Sequence, residues 1–104
     1  MPRVAFKMQL FPGNVDEYRR RHDEIWPELV ELLQTSGIHH YSIFLDESTN
    51  TLFGVQEVDD LEVSGKLPEN PVMKKWWAYM ADLMETNPDQ SPVQVSLPEV
   101  FYLK

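Results

Sequence analysis

Alternation of apolar and polar residues predicts four short β-strands along the chain. The alternating stretches cover residues 4–10, 38–45, 51–58 and 99–103. The turn-forming sequence Pro-Gly-Asn at residues 12–14 follows the first strand, and polar residues join the second strand to the third. These four stretches are the predicted strands of one sheet.

A helical spacing of apolar residues predicts two helices between these strands. The apolar or aromatic positions are Val15, Tyr18, Ile25, Trp26, Leu29, Leu32 and Leu33 in the first helix and Val72, Met73, Trp76, Trp77, Met80, Leu83 and Met84 in the second. Pro27 lacks a backbone donor, so we expect a kink or a new helix start near Trp26. Gly37 suits the left-handed residue that ends a helix. The proline-containing segment 59–71 predicts a loop, with room for a helical turn, and the segment 87–98 predicts an ordered but irregular arm.

The order of these elements is βαββαβ, which defines the fold class. This order is that of the ferredoxin-like α+β fold, a four-stranded antiparallel sheet with two helices on one face. The length of 104 residues is that of a typical single domain, so we expect one domain over residues 1–104.

Apolar side chains are expected on both faces of this sheet. On the second strand, Ile38 and Phe44 should face one way, and Tyr41, Ile43 and Leu45 the other. A sheet with one face in water normally alternates apolar with polar residues. Here both faces carry apolar residues, but the two helices can cover only one of them. We therefore predict a two-fold homodimer in which a second copy packs sheet against sheet.

Composition excludes several classes of function. A net charge of −8 argues against nucleic-acid binding, and the basic run at residues 19–21 is expected to form a solvated, salt-bridged helix face. The absence of cysteine excludes disulfides and cysteine-based zinc sites. No apolar stretch approaches the roughly 18 residues of a membrane span. We predict a soluble cytoplasmic protein.

His22 is the first candidate for chemistry. It follows Tyr18 by four residues, so the two side chains lie on one helix face, which Ile25 and Leu29 continue. His22 should therefore point inward although charged residues flank it. It is either a core histidine hydrogen-bonded to a carbonyl or carboxylate, or a general acid/base in a pocket between helix and sheet. An unperturbed pKa of about 6.5 suits the second role.

Tyr41 and two further histidines lie on the second strand. Tyr41 should share a face with His39 and Ile43, and a packing role with a satisfied hydroxyl is the ordinary explanation for such a tyrosine. His39 and His40 are adjacent, so on a strand they face opposite ways. A three-histidine metal centre with His22 is therefore geometrically awkward, and we predict no metal.

The adjacent pair Trp76 and Trp77 is unusual for a small core. Neighbouring residues on a helix differ by about 100°, so the pair forms a broad aromatic surface rather than a stripe. Core filling is one explanation, although each indole N–H then needs a partner. The other is a flat aromatic wall for a sugar, whose C–H faces are apolar and whose rim carries hydroxyls.

Four ordered motifs resemble the L-rhamnose mutarotase family over nearly the whole chain. They are EYRRRHDEIWPEL at 17–29, HHYSIFLD at 39–46, KKWWAYMADLMETNPDQSPV at 74–93 and EVFYL at 99–103. The resemblance implies a dimeric fold of the α/β-barrel type and interconversion of the α and β anomers of L-rhamnose. It also implies that His22 is the proton donor and that Tyr18, Tyr41, Trp76 and Trp77 bind the sugar.

The implied reaction needs only a modest rate acceleration. Mutarotation opens the hemiacetal, turns the aldehyde about C1–C2 and recloses the ring, and general acid–base catalysis supplies about 10²–10⁴-fold. No cofactor is expected. Small dimeric ferredoxin-like domains also serve as monooxygenases and as ligand sensors, so these are the alternative functions. A sensor would keep the tryptophan wall without needing an ionisable group beside the anomeric carbon.

Overall fold

The computed structural model describes residues 2–104 and contains an antiparallel sheet with helices on one face. The strands are β1 (Arg3–Gln9), β2 (Ile38–Asp46), β3 (Thr51–Val58) and β4 (Val95–Leu97). The helices are α1 (Val15–Asp23), α2 (Pro27–Thr35), α3 (Leu61–Ser64) and α4 (Pro71–Met80), with 3₁₀ turns at Leu67–Glu69 and Ala81–Leu83. Along the sheet the order is β2-β3-β1-β4. The predicted ferredoxin-like α+β fold is confirmed.

The first predicted helix is divided at its proline, as expected. Trp26 is extended, with φ −63° and ψ 132°, and Pro27 is the first residue of α2. A proline is well suited there, because its missing N–H would have no partner in the first turn. After α2, Gly37 has φ +82°, the left-handed conformation predicted for it. The chain then turns directly into β2.

The fourth strand is not where the sequence pattern predicted it. Residues 99–103 form no strand, and β4 is the shorter segment Val95–Leu97. Leu97 lies opposite Ala5, and the antiparallel register would place Glu99 opposite Arg3, the first residue of β1. β1 begins at Arg3, and the β-forming sequence at 100–103 is irregular and exposed.

A β-bulge in β2 overturns the predicted distribution of its side chains. The register with β3 shifts between His39 and Ser42. Ile38 is buried on the helix-covered face, and Ile43 and Leu45 pack against the same core. Ile38 therefore shares a face with Ile43 rather than with Phe44, which is 62% exposed on the other side. For the same reason His39 does not share a face with Tyr41.

The core lies between the sheet and the helices. Its buried members are Phe6, Met8, Leu10, Leu29, Leu52, Met73, Trp76, Met80, Leu83 and Met84. The opposite sheet face carries Phe44 and Val95, which are exposed, and Phe53 and Val55, which are half-buried. Within residues 2–104 no helix has the length and apolar character needed to cross a membrane.

Candidate active site

A cleft of about 1270 Å³ opens between the helix-covered face of the sheet and the helices. It is larger than typical ligand pockets of roughly 300–1,000 Å³, so it has ample room for a monosaccharide. All five residues singled out in the sequence line it: Tyr18, His22, Tyr41, Trp76 and Trp77. They come from α1, β2 and α4, three elements that only the folded chain brings together.

His22 and Tyr18 form a stacked pair on α1. Their ring centroids are 4.4 Å apart with an interplanar angle of 30°. Nδ1 of His22 lies 3.0 Å from the backbone carbonyl oxygen of Tyr18. A carbonyl oxygen can only accept, so in the neutral imidazole Nδ1 carries the proton and Nε2 keeps its lone pair. His22 is thereby held in the tautomer that can take a proton at Nε2.

Burial sets the protonation of the site. Desolvation lowers the pKa of His22, partly opposed by the hydrogen bond to the Tyr18 carbonyl. Desolvation likewise raises the pKa of Tyr18 well above its usual value, and the nearby Tyr41 adds to that effect. At neutral pH the site therefore contains a neutral imidazole beside neutral phenols. These are groups that donate and accept hydrogen bonds without carrying charge.

Tyr41 lines the cleft, and the residue as a whole is 38% exposed. Desolvation raises the pKa of its hydroxyl to about 12, with the Gln56 side chain acting in the opposite direction. The Tyr41 ring also meets buried Phe6 edge-on, at a centroid distance of 6.2 Å.

The tryptophans occupy different positions in the cleft. Trp76 is buried and meets His22 edge-on, with centroids 5.4 Å apart at 88°. It also contacts the rings of Trp26 and Tyr79, at 5.1 and 5.7 Å. Trp77 is half-buried and lines the cleft one position further along α4. The pair therefore combines a core residue that supports the histidine with a more accessible aromatic surface.

Arg21 was expected to lie on a solvated helix face, and the structure contradicts this. Its side chain is only 11% exposed. Nη1 donates to the Tyr79 carbonyl oxygen at 2.6 Å and to Asp82 Oδ1 at 2.8 Å, while Nε donates to Glu17 at 2.7 Å. Arg21 thus ties the helix that carries His22 to the end of α4. No sequence pattern points to Asp82, which lies far along the chain.

Gly54 is a second feature that sequence analysis missed. It lies on β3 opposite Phe6, and a Cβ there would come within 2.5 Å of the Phe6 ring. Real Cβ atoms do not approach so closely, so the missing side chain is what lets Phe6 lie flat on the sheet. That ring in turn contacts Tyr41. Gly54 therefore shapes the floor of the cleft beneath one of the predicted binding residues.

Each of the other two histidines lies near a carboxylate. Nε2 of His39 lies 2.9 Å from Asp59, and Nε2 of His40 lies 3.9 Å from Glu57. Among residues 2–104, no three histidine, aspartate or glutamate side chains gather where they could hold a metal ion. The chemistry that His22 offers in this aromatic cleft is proton transfer by its imidazole.

The ferredoxin-like fold and its cleft place the chain in a class of small α+β proteins. Comparison with known proteins identifies the family within that class. A family model described as L-rhamnose mutarotase matches residues 3–103. An L-rhamnose mutarotase of Rhizobium johnstonii is 65% identical over 95% of this chain and 93% of its own length. The chain belongs to the L-rhamnose mutarotase family, and it is therefore an enzyme, a sugar isomerase.

Solved structures agree with this assignment. The crystal structure of an L-rhamnose mutarotase from Formosa agariphila matches with a TM-score of 0.93 and 50% identity, covering 100% of both chains. A putative antibiotic biosynthesis monooxygenase from Chloroflexus aurantiacus matches with a TM-score of 0.59 at 16% identity, over 98% of this chain and 95% of its own. That second likeness shows a shared fold alone, so the alternative monooxygenase function receives no support from it.

Proposed function

We propose that the chain interconverts the α and β anomers of L-rhamnose in the cleft described above, with His22 as the principal acid/base. The observation that carries this proposal is the geometry of His22. Its Nδ1–H is engaged by the Tyr18 carbonyl, and its free Nε2 belongs to a side chain that lines the cleft. Membership of the family supports the choice of sugar.

The proposed reaction needs one proton carrier. Nε2 of His22 takes the proton of the anomeric hydroxyl, and the imidazolium returns it to the ring oxygen as the bond between C1 and that oxygen breaks. The products of this step are the open-chain aldehyde and neutral His22. Rotation about C1–C2 exposes the other face of the carbonyl. Reclosure by the reverse proton transfer then gives the second anomer, with no net change in the enzyme.

The aromatic residues are proposed to hold the sugar. The hydroxyls of Tyr18 and Tyr41 stay protonated because desolvation raises their pKa values, so each can donate to or accept from a sugar hydroxyl. Trp76 and Trp77 offer the flat apolar surface that the C–H face of a pyranose prefers. Water is partly excluded by these rings, which strengthens each hydrogen bond made in the cleft.

The decisive experiment is polarimetry. Crystalline α-L-rhamnose is dissolved and its optical rotation is followed with and without the protein. We expect the protein to speed the approach to the same final rotation. Rotation that changes at the uncatalysed rate would refute mutarotation. Oxygen consumption with a suitable aromatic substrate, under the same conditions, would instead indicate a monooxygenase.

We also propose that the working form is a homodimer. One line of support is the sheet face that the helices leave uncovered, which exposes the apolar residues Phe44 and Val95. A second is the C-terminal segment, whose residues Val100, Phe101, Tyr102 and Leu103 are also exposed. Sedimentation equilibrium at micromolar concentration should give twice the chain mass of 12.2 kDa. A species of 12.2 kDa would contradict the dimer.

The remaining proposals concern partners and location. The net charge of −8 supports a protein that does not bind nucleic acid. Membership of a family of metabolic sugar isomerases supports the cytoplasm as the place of action. Fractionation of cells that express the protein would test the second proposal.

A further inference from the structure

Gln56 is a polar residue in a row of β3 that otherwise faces the core. Alternate residues of a strand share a face, so Gln56 lies on the same face as Leu52, Gly54 and Val58, all of which are buried. The partner of Gln56 on β1 is Val4, which packs against the core. Residues directly opposite each other in an antiparallel pair share a face. The Gln56 side chain is therefore directed to the helix-covered face of the sheet.

Gln56 also lies beside Tyr41 in the cleft. Both residues line it, and Gln56 is half-buried where the other members of its row are buried. In the register with β2, Val55 lies opposite Ser42, so Gln56 is level with Tyr41. Tyr41 alternates with Ile43, which packs against the core, and so it faces the same side as Gln56.

The Gln56 amide has more hydrogen-bonding capacity than the Tyr41 hydroxyl uses. An amide side chain carries two N–H donors and a carbonyl oxygen with two lone pairs. The Gln56 side chain opposes the rise in the pKa of Tyr41, as an N–H that donates to the phenolic oxygen would. One N–H and the carbonyl oxygen then remain for another partner. Polar atoms in an apolar row cost free energy unless they are paired, which favours a polar occupant of the cleft.

We propose that Gln56 binds the sugar directly through its side-chain amide and selects sugars by the configuration of a ring hydroxyl. The inference rests on the proposed function, because the ligand is L-rhamnose. A sugar whose hydroxyl points the other way would leave the amide unpaired, which is costly in a partly buried site. Gln56 belongs to the sheet and His22 to α1, so we expect the contact at a hydroxyl away from the anomeric carbon.

The test is the substitution Gln56→Met, because methionine keeps the unbranched shape and removes the amide. Gln56→Leu is a second variant for use if the methionine protein does not fold, since leucine already occupies position 52 of the same row. The matched control is Glu57→Gln, which changes the next residue of β3, on the opposite face of the sheet. Isothermal titration calorimetry with L-rhamnose gives the affinity, and polarimetry gives KM and kcat.

We expect Gln56→Met to weaken sugar binding and raise KM by about three- to tenfold, the effect of losing one neutral hydrogen bond, with kcat changed much less. Glu57→Gln should keep the wild-type values. Deoxy analogues of L-rhamnose that each lack one ring hydroxyl identify the contact. The analogue without the bound hydroxyl should bind equally well to the wild type and to Gln56→Met. Gln56→Met should still weaken binding in a Tyr41→Phe background.

Three results would overturn the inference while the proposed function stands. The first is a folded methionine or leucine variant with the wild-type affinity and KM. The second is a Gln56→Met effect that vanishes in the Tyr41→Phe background, because Gln56 would then act only through Tyr41. The third is an equal effect of Gln56→Met on L-rhamnose and on every deoxy analogue. A wild-type protein that does not accelerate interconversion of the anomers would instead refute the proposed function, and the inference with it.

Discussion

Nδ1 of His22 lies 3.0 Å from the carbonyl oxygen of Tyr18, one helical turn earlier in α1. The carbonyl leaves Nε2 as the only ring nitrogen of the neutral imidazole that can accept a proton. Desolvation also lowers the pKa of His22 below 6.5, so the neutral form predominates at pH 7. The structure thus holds His22 ready to act as a base.

The first prediction concerns pH. Because the proposed mechanism begins with neutral His22, kcat/KM should be constant near pH 7 and should fall as the pH drops through the lowered pKa, below 6.5. The falling limb should be at lower pH than that of a free imidazole. Polarimetric rates corrected for the uncatalysed reaction at each pH provide the measurement. Activity that instead increases on acidification would show that His22 must begin as an acid.

The second prediction concerns removal of the imidazole. His22→Ala should lower kcat/KM by about 10²-fold or more, the usual contribution of a general acid/base. The matched control is His39→Ala, which removes an imidazole paired with Asp59 and should keep most of the activity. Circular dichroism verifies that both variants fold. A folded His22→Ala protein with full activity would leave His22 as a structural residue only.

The third prediction concerns the aromatic surface. At least one of Trp76 and Trp77 should stack on bound sugar, so titration with L-rhamnose should change the tryptophan fluorescence. The change should persist in Trp26→Phe, because Trp26 packs behind Trp76 and does not line the cleft. It should be reduced in Trp76→Phe or Trp77→Phe. If neither replacement alters the sugar affinity or the rate, the tryptophans do not form the binding surface.

Much of this arrangement follows from local patterns in the sequence. The helix spacing places His22 and Tyr18 on one inward face, and Pro27 and Gly37 mark where α2 begins and where it gives way to β2. Such features depend on residues a few positions apart, and each has a steric or hydrogen-bonding cause. They could therefore be predicted without knowledge of the rest of the fold.

Other features depend on distant parts of the chain and could not be predicted in that way. The side chains at 99–103 favour β-structure, but the fourth strand forms at Val95–Leu97, where the chain pairs with residues 5–7 of β1. The face occupied by Ile38 depends on the backbone of His40, one residue in a stretch that otherwise reads as a regular strand. The contact between Arg21 and Asp82 joins positions that sequence spacing does not relate.

The fourth prediction concerns Arg21. Arg21→Met keeps most of the apolar stem but removes the hydrogen bonds to Asp82 and Tyr79, so α1 should lose its attachment to the end of α4. We expect a lower melting temperature and a raised KM, because His22 would no longer be held against Trp76. The matched control is Arg20→Met. The Arg20 side chain is 54% exposed and forms its salt bridges with Glu17 and Glu24, so its loss should have the smaller effect on both quantities.

A result in which Arg20→Met and Arg21→Met have equal effects would contradict this role for Arg21. A lysine at position 21 provides a further comparison. It keeps the charge but cannot reproduce the planar fork that reaches Glu17 and Asp82 together, so Arg21→Lys should restore only part of the lost stability.

The last prediction concerns Gly54 and the floor of the cleft. A Cβ at this position would lie 2.5 Å from Cζ and 2.6 Å from Cε2 of Phe6, so Gly54→Ala must displace that ring. Phe6 is packed in the core on one side and meets Tyr41 on the other. We expect the ring to shift towards Tyr41 and the cleft, raising KM for L-rhamnose. Adding Phe6→Leu should relieve the overlap and recover part of the affinity. If Gly54→Ala binds the sugar as the wild type does, or if Phe6→Leu makes the alanine variant worse, the glycine does not shape this cleft.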